Sequence, residues 1–276
     1  MKKTIVALAV ALTSLAASAQ VSINGVIGYG ASVANSKATV GMHDTKIMLT
    51  ASEKIGTMTA TAVAGLNGIA RDSAVIGQDA YVSLAGKFGE VRAGQVELVN
   101  GIMGRGNVNA PVIGADGVVL AAFVNKQLIS YTTPTMSGLR ASVSATQDVN
   151  GVGTHAYNVG ASYDVGPLSA GIDYQDTSKR VRTSVSYNMS GIKVGAGWSG
   201  NETGVANSYT LGASTPVGPL LMGAAYSKGD GQAMEAGVAY PMSKRTVFSV
   251  AYRNVADNSV AANNVGTYRV RLTHTF

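Results

Sequence analysis

The chain has 276 residues, of which 46% are hydrophobic and only 13% charged, with 34 glycines and no cysteine, a composition that excludes a disordered or disulfide-stapled chain and leaves one large domain. The formal charge of +6 comes from lysines and arginines placed singly or at most in adjacent pairs, never in the basic runs that bind nucleic acid, so nucleic acid is excluded as a partner. Past the N-terminal segment no apolar run reaches the roughly 18 residues of a membrane-crossing helix, which excludes a helical membrane protein.

Met1, Lys2 and Lys3 give a positive start, Thr4 to Leu15 an apolar stretch, and Ala17-Ser18-Ala19 a small-residue processing site. Together they form a secretory signal. Cleavage is expected after Ala19, so that residues 1–19 are the signal peptide and residues 20–276 the functional domain. Loss of Lys2 and Lys3 takes the charge from +6 to +4. An anchoring helix is the competing reading, but it needs about 20 apolar residues, and this stretch is shorter and ends in the processing site.

The rest of the chain keeps returning to segments such as VRTSVSY, IKVGAGW, FSVAYR and YRVRLTHTF, in which every second residue is apolar or aromatic. A period of two puts alternate side chains on opposite faces of a strand. In chain order the pattern predicts strands beginning near Val21, Thr45, Thr57, Asp79, Glu90, Lys126, Leu139 and Ala156. The second half continues with Leu168, Val181, Ile192, Ser208, Leu220, Ala233, Thr246 and Thr267. Tight connections (EKIG, PTMSG, DVGP, NMSG, PVGP, PMSK) alternate with longer polar ones, as in an up-and-down barrel. An even number of strands brings the last beside the first and removes the exposed sheet edge. The predicted fold is therefore all-β, a transmembrane antiparallel barrel of about 16 strands.

The aromatics sort by strand direction, as tyrosine and tryptophan do at the two interfaces of a bilayer. Tyr29, Tyr157, Tyr174, Trp198, Tyr209, Tyr226, Tyr252 and Tyr268 fall at outer strand ends on the apolar face; Tyr131, Tyr163, Tyr187, Tyr240 and Phe276 fall at periplasmic ends. Tyr81 fits neither girdle. A soluble β-sandwich gives no reason for such sorting. The complementary parity (for example Asn158, Gly160, Ser162; Arg182, Ser184, Ser186; Lys193, Gly195, Gly197) is polar or small, which suits a water-filled lumen and not a dry core.

In order along the chain, VSINGVIGYG resembles the VTLYGVVDAG-type opening strand of the general porins of Gram-negative bacteria. KIMLTASEKIG resembles their RLGFKGSEDLG-type second strand and first turn, and AYVSLAGKFGEVRAGQ their paired strands around a GDFG-type turn. The resemblance spans nearly the whole chain after the signal and is nearest to the non-enteric branch. Asn24 and Gly28 stand where that family often has tyrosine and aspartate, and Ser130 where arginine is common. The resemblance implies a homotrimeric channel of the cell outer membrane, surrounded by outer-membrane lipid and passing small hydrophilic solutes and ions. It also implies that the alternating C-terminal strand ending in Phe276 is the assembly signal read by the barrel-insertion machinery, and that the third outer loop folds inward to constrict the pore. That loop corresponds to the longest connection, about Val96 to Asn125, and carries Glu97, Arg105 and Asp116.

Inferred pore-lining bases are Lys46, Arg92, Arg140, Arg182, Lys193, Arg253, Arg269 and Arg271, against the acids Glu90, Asp164, Asp173 and Glu235. The excess of one sign predicts a weak anion preference. The three histidines do not converge with a serine and a carboxylate: His43 and His155 fall in inferred outer loops and His274 on the outward parity. With no metal-ligand or phosphate-binding motif either, neither catalysis nor a cofactor or metal is expected. The alternative function is a plugged or structural barrel serving as surface adhesin or receptor.

Overall fold

Alternation of small polar with aliphatic or aromatic residues gives each segment one wet and one greasy face, and a closed antiparallel sheet satisfies both faces together with every backbone donor and acceptor. The computed structural model describes residues 20–69, 76–96, 126–146, 156–176, 178–200, 206–229, 231–257 and 265–276. Among them, sixteen strands close a barrel in which each pairs antiparallel with its sequence neighbours and the last pairs with the first.

The strands are β1 (Gln20–Ala34), β2 (Lys37–Ile55), β3 (Met58–Asn67), β4 (Ile76–Gly86), β5 (Gly89–Val96), β6 (Lys126–Thr132), β7 (Leu139–Thr146) and β8 (Ala156–Val165). They continue as β9 (Leu168–Gln175), β10 (Arg180–Met189), β11 (Ile192–Gly200), β12 (Ser208–Val217), β13 (Leu220–Lys228), β14 (Gly231–Pro241), β15 (Thr246–Asp257) and β16 (Val265–Thr275). Eight start where the alternation predicts. The largest departure is β2, which begins at Lys37 and not near Thr45, because Asn35 and Ser36, with φ of 49° and 61°, close a two-residue hairpin where a long outer loop was expected. His43 therefore lies within β2.

Burial is inverted relative to a soluble protein. Ser144, Asn158, Asp173, Arg182, Thr210 and Glu235 are buried, whereas Ile23, Val82, Ile129, Leu211 and Leu272 are exposed. Cross-strand register explains this: Leu211 opposes Tyr226 and Ala196 on the outward face, while Thr210 opposes Ser227 and Gly197 on the inward face. The outward tyrosines meet in pairs across neighbouring strands near the outer end, with ring centroids 6.1 Å apart for Tyr157 and Tyr174, 6.2 Å for Tyr209 and Tyr226, and 4.9 Å for Tyr252 and Tyr268. Apolar inward residues form only small clusters: Val96 and Leu128 with Tyr81, and Ala239 and Ala251 with Leu221, Ala225 and Val247.

Candidate functional site: the inward face of the barrel

Pairs of residues opposite each other in an antiparallel ladder share a face, so the register assigns each charged side chain to the inside or the outside. Lys46 opposes Val26 and Asn67; Arg92 opposes Ser83 and Ser130; Arg140 opposes Ser162; Arg182 opposes Asp173 and Ser199. Lys193 opposes Asn188 and Ser214, Arg253 opposes Glu235 and Thr267, Arg269 opposes Ala251 and Ser32, and Arg271 opposes Ser249 and Gly30. All eight lie on the parity opposite to the exposed aliphatic residues. Glu97, Arg105 and Asp116, and His155 with them, lie outside the described residues.

These side chains fall into three stretches of wall. On β9 to β11, Arg182 grips Asp173 through both carboxylate oxygens, with Nε donating to Oδ1 at 2.8 Å and a second bond from Nη2 to Oδ2. Both groups are buried, at 8% and 1% side-chain exposure, so the pair is a fixed, locally neutral strut. On β4 to β7, Arg92 donates through Nη2 to both oxygens of Glu90 at 3.2 Å. Its guanidinium lies 4.4 Å from the centroid of the Tyr81 ring, a cation–π contact. The third stretch runs from β14 through β16 to β2 and carries Glu235, Arg253, Arg269, Arg271 and Lys46.

Four inward groups are hidden from the sequence. Register shifts between Ile27 and Tyr29, so that Gly28 faces two residues of β2 and both His43 and Asp44 turn inward at this bulge. Asp44 then lies 3.8 Å from Arg271, and the His43 ring lies against Gly30. Tyr81 is the tyrosine that fits neither girdle because it is on the inward face, opposite Val63 and Gly94. Arg180 was missed because its strand begins one residue before Val181. The third histidine, His274, keeps to the outward parity opposite Ile27, with its Nδ1 2.9 Å from the Thr246 hydroxyl.

A closed sheet of sixteen strands, apolar outside and lined within by small, polar and charged side chains, is the geometry of an aqueous channel through a bilayer. Comparison with protein families finds a match over residues 5–261 to the family described as Gram-negative porin. The chain belongs to the Gram-negative porins. The porin resembles solved structures of the same architecture. One is a multiple mutant of the Rh. blastica porin, at 14% identity with a TM-score of 0.74, covering 93% of this chain and 100% of that one. Another is the anion-selective porin from Comamonas acidovorans, at 22% identity with a TM-score of 0.70, covering 94% and 100%. A third is a loop L8 deletion mutant of OmpT, an outer membrane protein of Vibrio cholerae, at 9% identity with a TM-score of 0.74, covering 94% and 100%. At these identities the likeness speaks for the fold. No curated protein matches the chain. Family and barrel together make this porin a channel of the Gram-negative outer membrane, and both belong to non-enzymatic channels.

Proposed function

We propose that this porin conducts small hydrophilic solutes and ions by diffusion with a weak preference for anions. The observation that carries the reading is the surplus of bases over acids on the inward parity: Lys46, Arg92, Arg140, Arg180, Arg182, Lys193, Arg253, Arg269 and Arg271 outnumber Asp44, Glu90, Asp164, Asp173 and Glu235. Fixed charge of one sign along a water-filled passage concentrates the opposite ion without binding it tightly. The preference is weak for two reasons. Arg182, Arg92 and Arg271 are each engaged by a carboxylate, and salt screens exposed charges over about 8 Å at physiological ionic strength. The printed name of the Comamonas structure, an anion-selective porin, supports the same sign.

Several further features complete the proposal. The secretory segment is removed after Ala19, giving a mature chain of residues 20–276. The third outer connection, with Glu97, Arg105 and Asp116, folds inward and narrows the passage. Three copies assemble in outer-membrane lipid, and the strand ending at Phe276 is the handle for the barrel-insertion machinery. The chain works without catalysis, cofactor or metal. The deciding measurement is the reversal potential of channels in a planar bilayer under a potassium chloride gradient. A potential of the sign set by chloride is expected; one set by potassium, or none, overturns the anion preference.

A further inference from the structure

Two adjacent strands carry the same dipeptide, Tyr252-Arg253 on β15 and Tyr268-Arg269 on β16. Successive side chains of a strand point to opposite faces. The two tyrosines therefore meet outside, with ring centroids 4.9 Å apart, and the two arginines stand behind them on the inner face. Because Tyr252 opposes Tyr268, Arg253 opposes Thr267 and Arg269 opposes Ala251. The arginines are thus diagonal neighbours, about 7 to 8 Å apart. Arg271 follows on the same face of β16, about 7 Å further along. Three guanidiniums share one small area of wall just inside the outer girdle.

The wall beside them is low. Arg271 opposes Gly30, which in turn opposes Gly41, and a Cβ at Gly41 would meet nothing within 4 Å. Arg269 opposes Ser32, whose hydroxyl lies 2.7 Å from that of Thr39. The arginines therefore border a hollow floored by glycine and edged by hydroxyls. Arg271 is buried, and Arg253 and Arg269 are half-buried, so their charge is held in the wall.

Two carboxylates flank the group: Asp44 lies 3.8 Å from Arg271, and Glu235 opposes Arg253. They fall one charge short of the three guanidiniums. The Asp44 contact is longer than a hydrogen bond, and a guanidinium carries five donors, more than one carboxylate takes. A monovalent ion such as chloride gains little against this competition. A second negative charge doubles the net attraction of the wall, and bases within about 8 Å act together before salt screens them. Oxygen anions fit best, because the guanidinium fork matches two oxygens of a carboxylate or of a tetrahedral oxyanion.

We propose that Arg253, Arg269 and Arg271 form a saturable subsite at the outer mouth for small, doubly charged oxyanions, and that Asp44 competes with the bound anion for Arg271. The subsite rests on the anion-preferring channel proposed above. Competition from Asp44 keeps residence short, as passage requires.

Chloride current through single channels in planar bilayers tests this, with sulfate or succinate titrated at constant ionic strength and acetate as the monovalent reference. Sulfate or succinate is expected to reduce the current along a saturating curve, and the tighter of the two names the shape of the solute. Acetate is expected to reduce it only in proportion to the chloride it replaces. Arg253→Gln and Arg269→Gln should raise the half-saturating concentration several-fold, Arg269→Lys less so, and Asp44→Asn should lower it. Lys228→Gln, which removes a charge from the outward face opposite Tyr209, should leave it unchanged. Only inserted channels are read; where a glutamine variant fails to insert, Arg269→Lys and Asp44→Asn decide. No saturation by either dianion, or a half-saturating concentration that ignores these substitutions, overturns the subsite. If the reversal potential still follows chloride, the subsite alone is lost; if it follows potassium, the anion reading goes as well.

Discussion

The ring of Phe276, the last residue of the chain, lies on Gly25 of β1, and the two residues exchange both backbone hydrogen bonds at 3.1 Å. A Cβ at Gly25 would collide with that ring and come within 2.6 Å of the Lys46 carbonyl oxygen. Here the first strand meets the last, so a bulky residue at Gly25 strains the closing ladder. Gly25→Val is expected to destabilise the folded barrel by about 1 to 3 kcal/mol, as overpacking does, and Phe276→Ala to be milder. The urea dependence of the heat-sensitive electrophoretic shift measures both. A Gly25→Val barrel as stable as the parent would show that the ring moves aside without cost.

The Arg182–Asp173 pair gives the second prediction. Both groups are buried and joined by two hydrogen bonds, so removing one partner leaves a charge with its counter-ion gone. Asp173→Ala and Arg182→Ala are each expected to cost about 3 kcal/mol. The double variant should cost clearly less than their sum, because it removes both charges together. Additive losses in a double-mutant cycle would mean that the two side chains act independently.

Ion preference should follow the wall from β14 to β2. Replacing Arg269 and Arg271 by Glu puts two negative charges where two positive ones stood, beside Asp44 and across from Ser249 and Ser32. The reversal potential under a salt gradient should then change sign toward potassium. Arg92→Lys, by contrast, keeps the charge while losing the planar contact with Tyr81 and the geometry toward Glu90. Its ion preference should match that of the parent, whereas Arg92→Gln should weaken the anion preference.

Trp198 is the single tryptophan of the chain and faces outward, opposite Tyr209 and Thr183. Its indole belongs at the outer lipid interface. Folding from urea into vesicles should shift its emission to the blue, and lipids brominated near the headgroup should quench it more than lipids brominated near the chain terminus. Emission unchanged between urea and vesicles would contradict its membrane-facing position.

Much of the fold was legible because barrel strands obey one rule, alternation, and the tight turns carry their own markers. The starts of β6 to β9, β11 to β13 and β15 fall where the pattern places them, since Pro and Gly in PTMSG, DVGP and PVGP stop one strand and begin the next. The rule fails where alternation is interrupted. At Gly28 a bulge sets two residues of β2 against one of β1, which turns His43 and Asp44 inward together and leaves no signal in spacing alone. The Asn35–Ser36 turn was missed because neither residue is glycine, although both adopt positive φ. Tyr81 looked misplaced only because aromatic residues were assigned to girdles; its position follows from the guanidinium of Arg92 lying over it. The inward parity of the basic residues could be read from sequence, but not their pairing, since which acid meets which base depends on register between strands.

The central claim is that the sheet encloses a continuous column of water. The most direct test is single-channel conductance of the folded protein in planar bilayers over a wide range of potassium chloride concentrations. Conductance rising in proportion to that of the bulk solution is the predicted result. Absence of discrete conductance steps from protein shown to be folded and inserted would contradict the account.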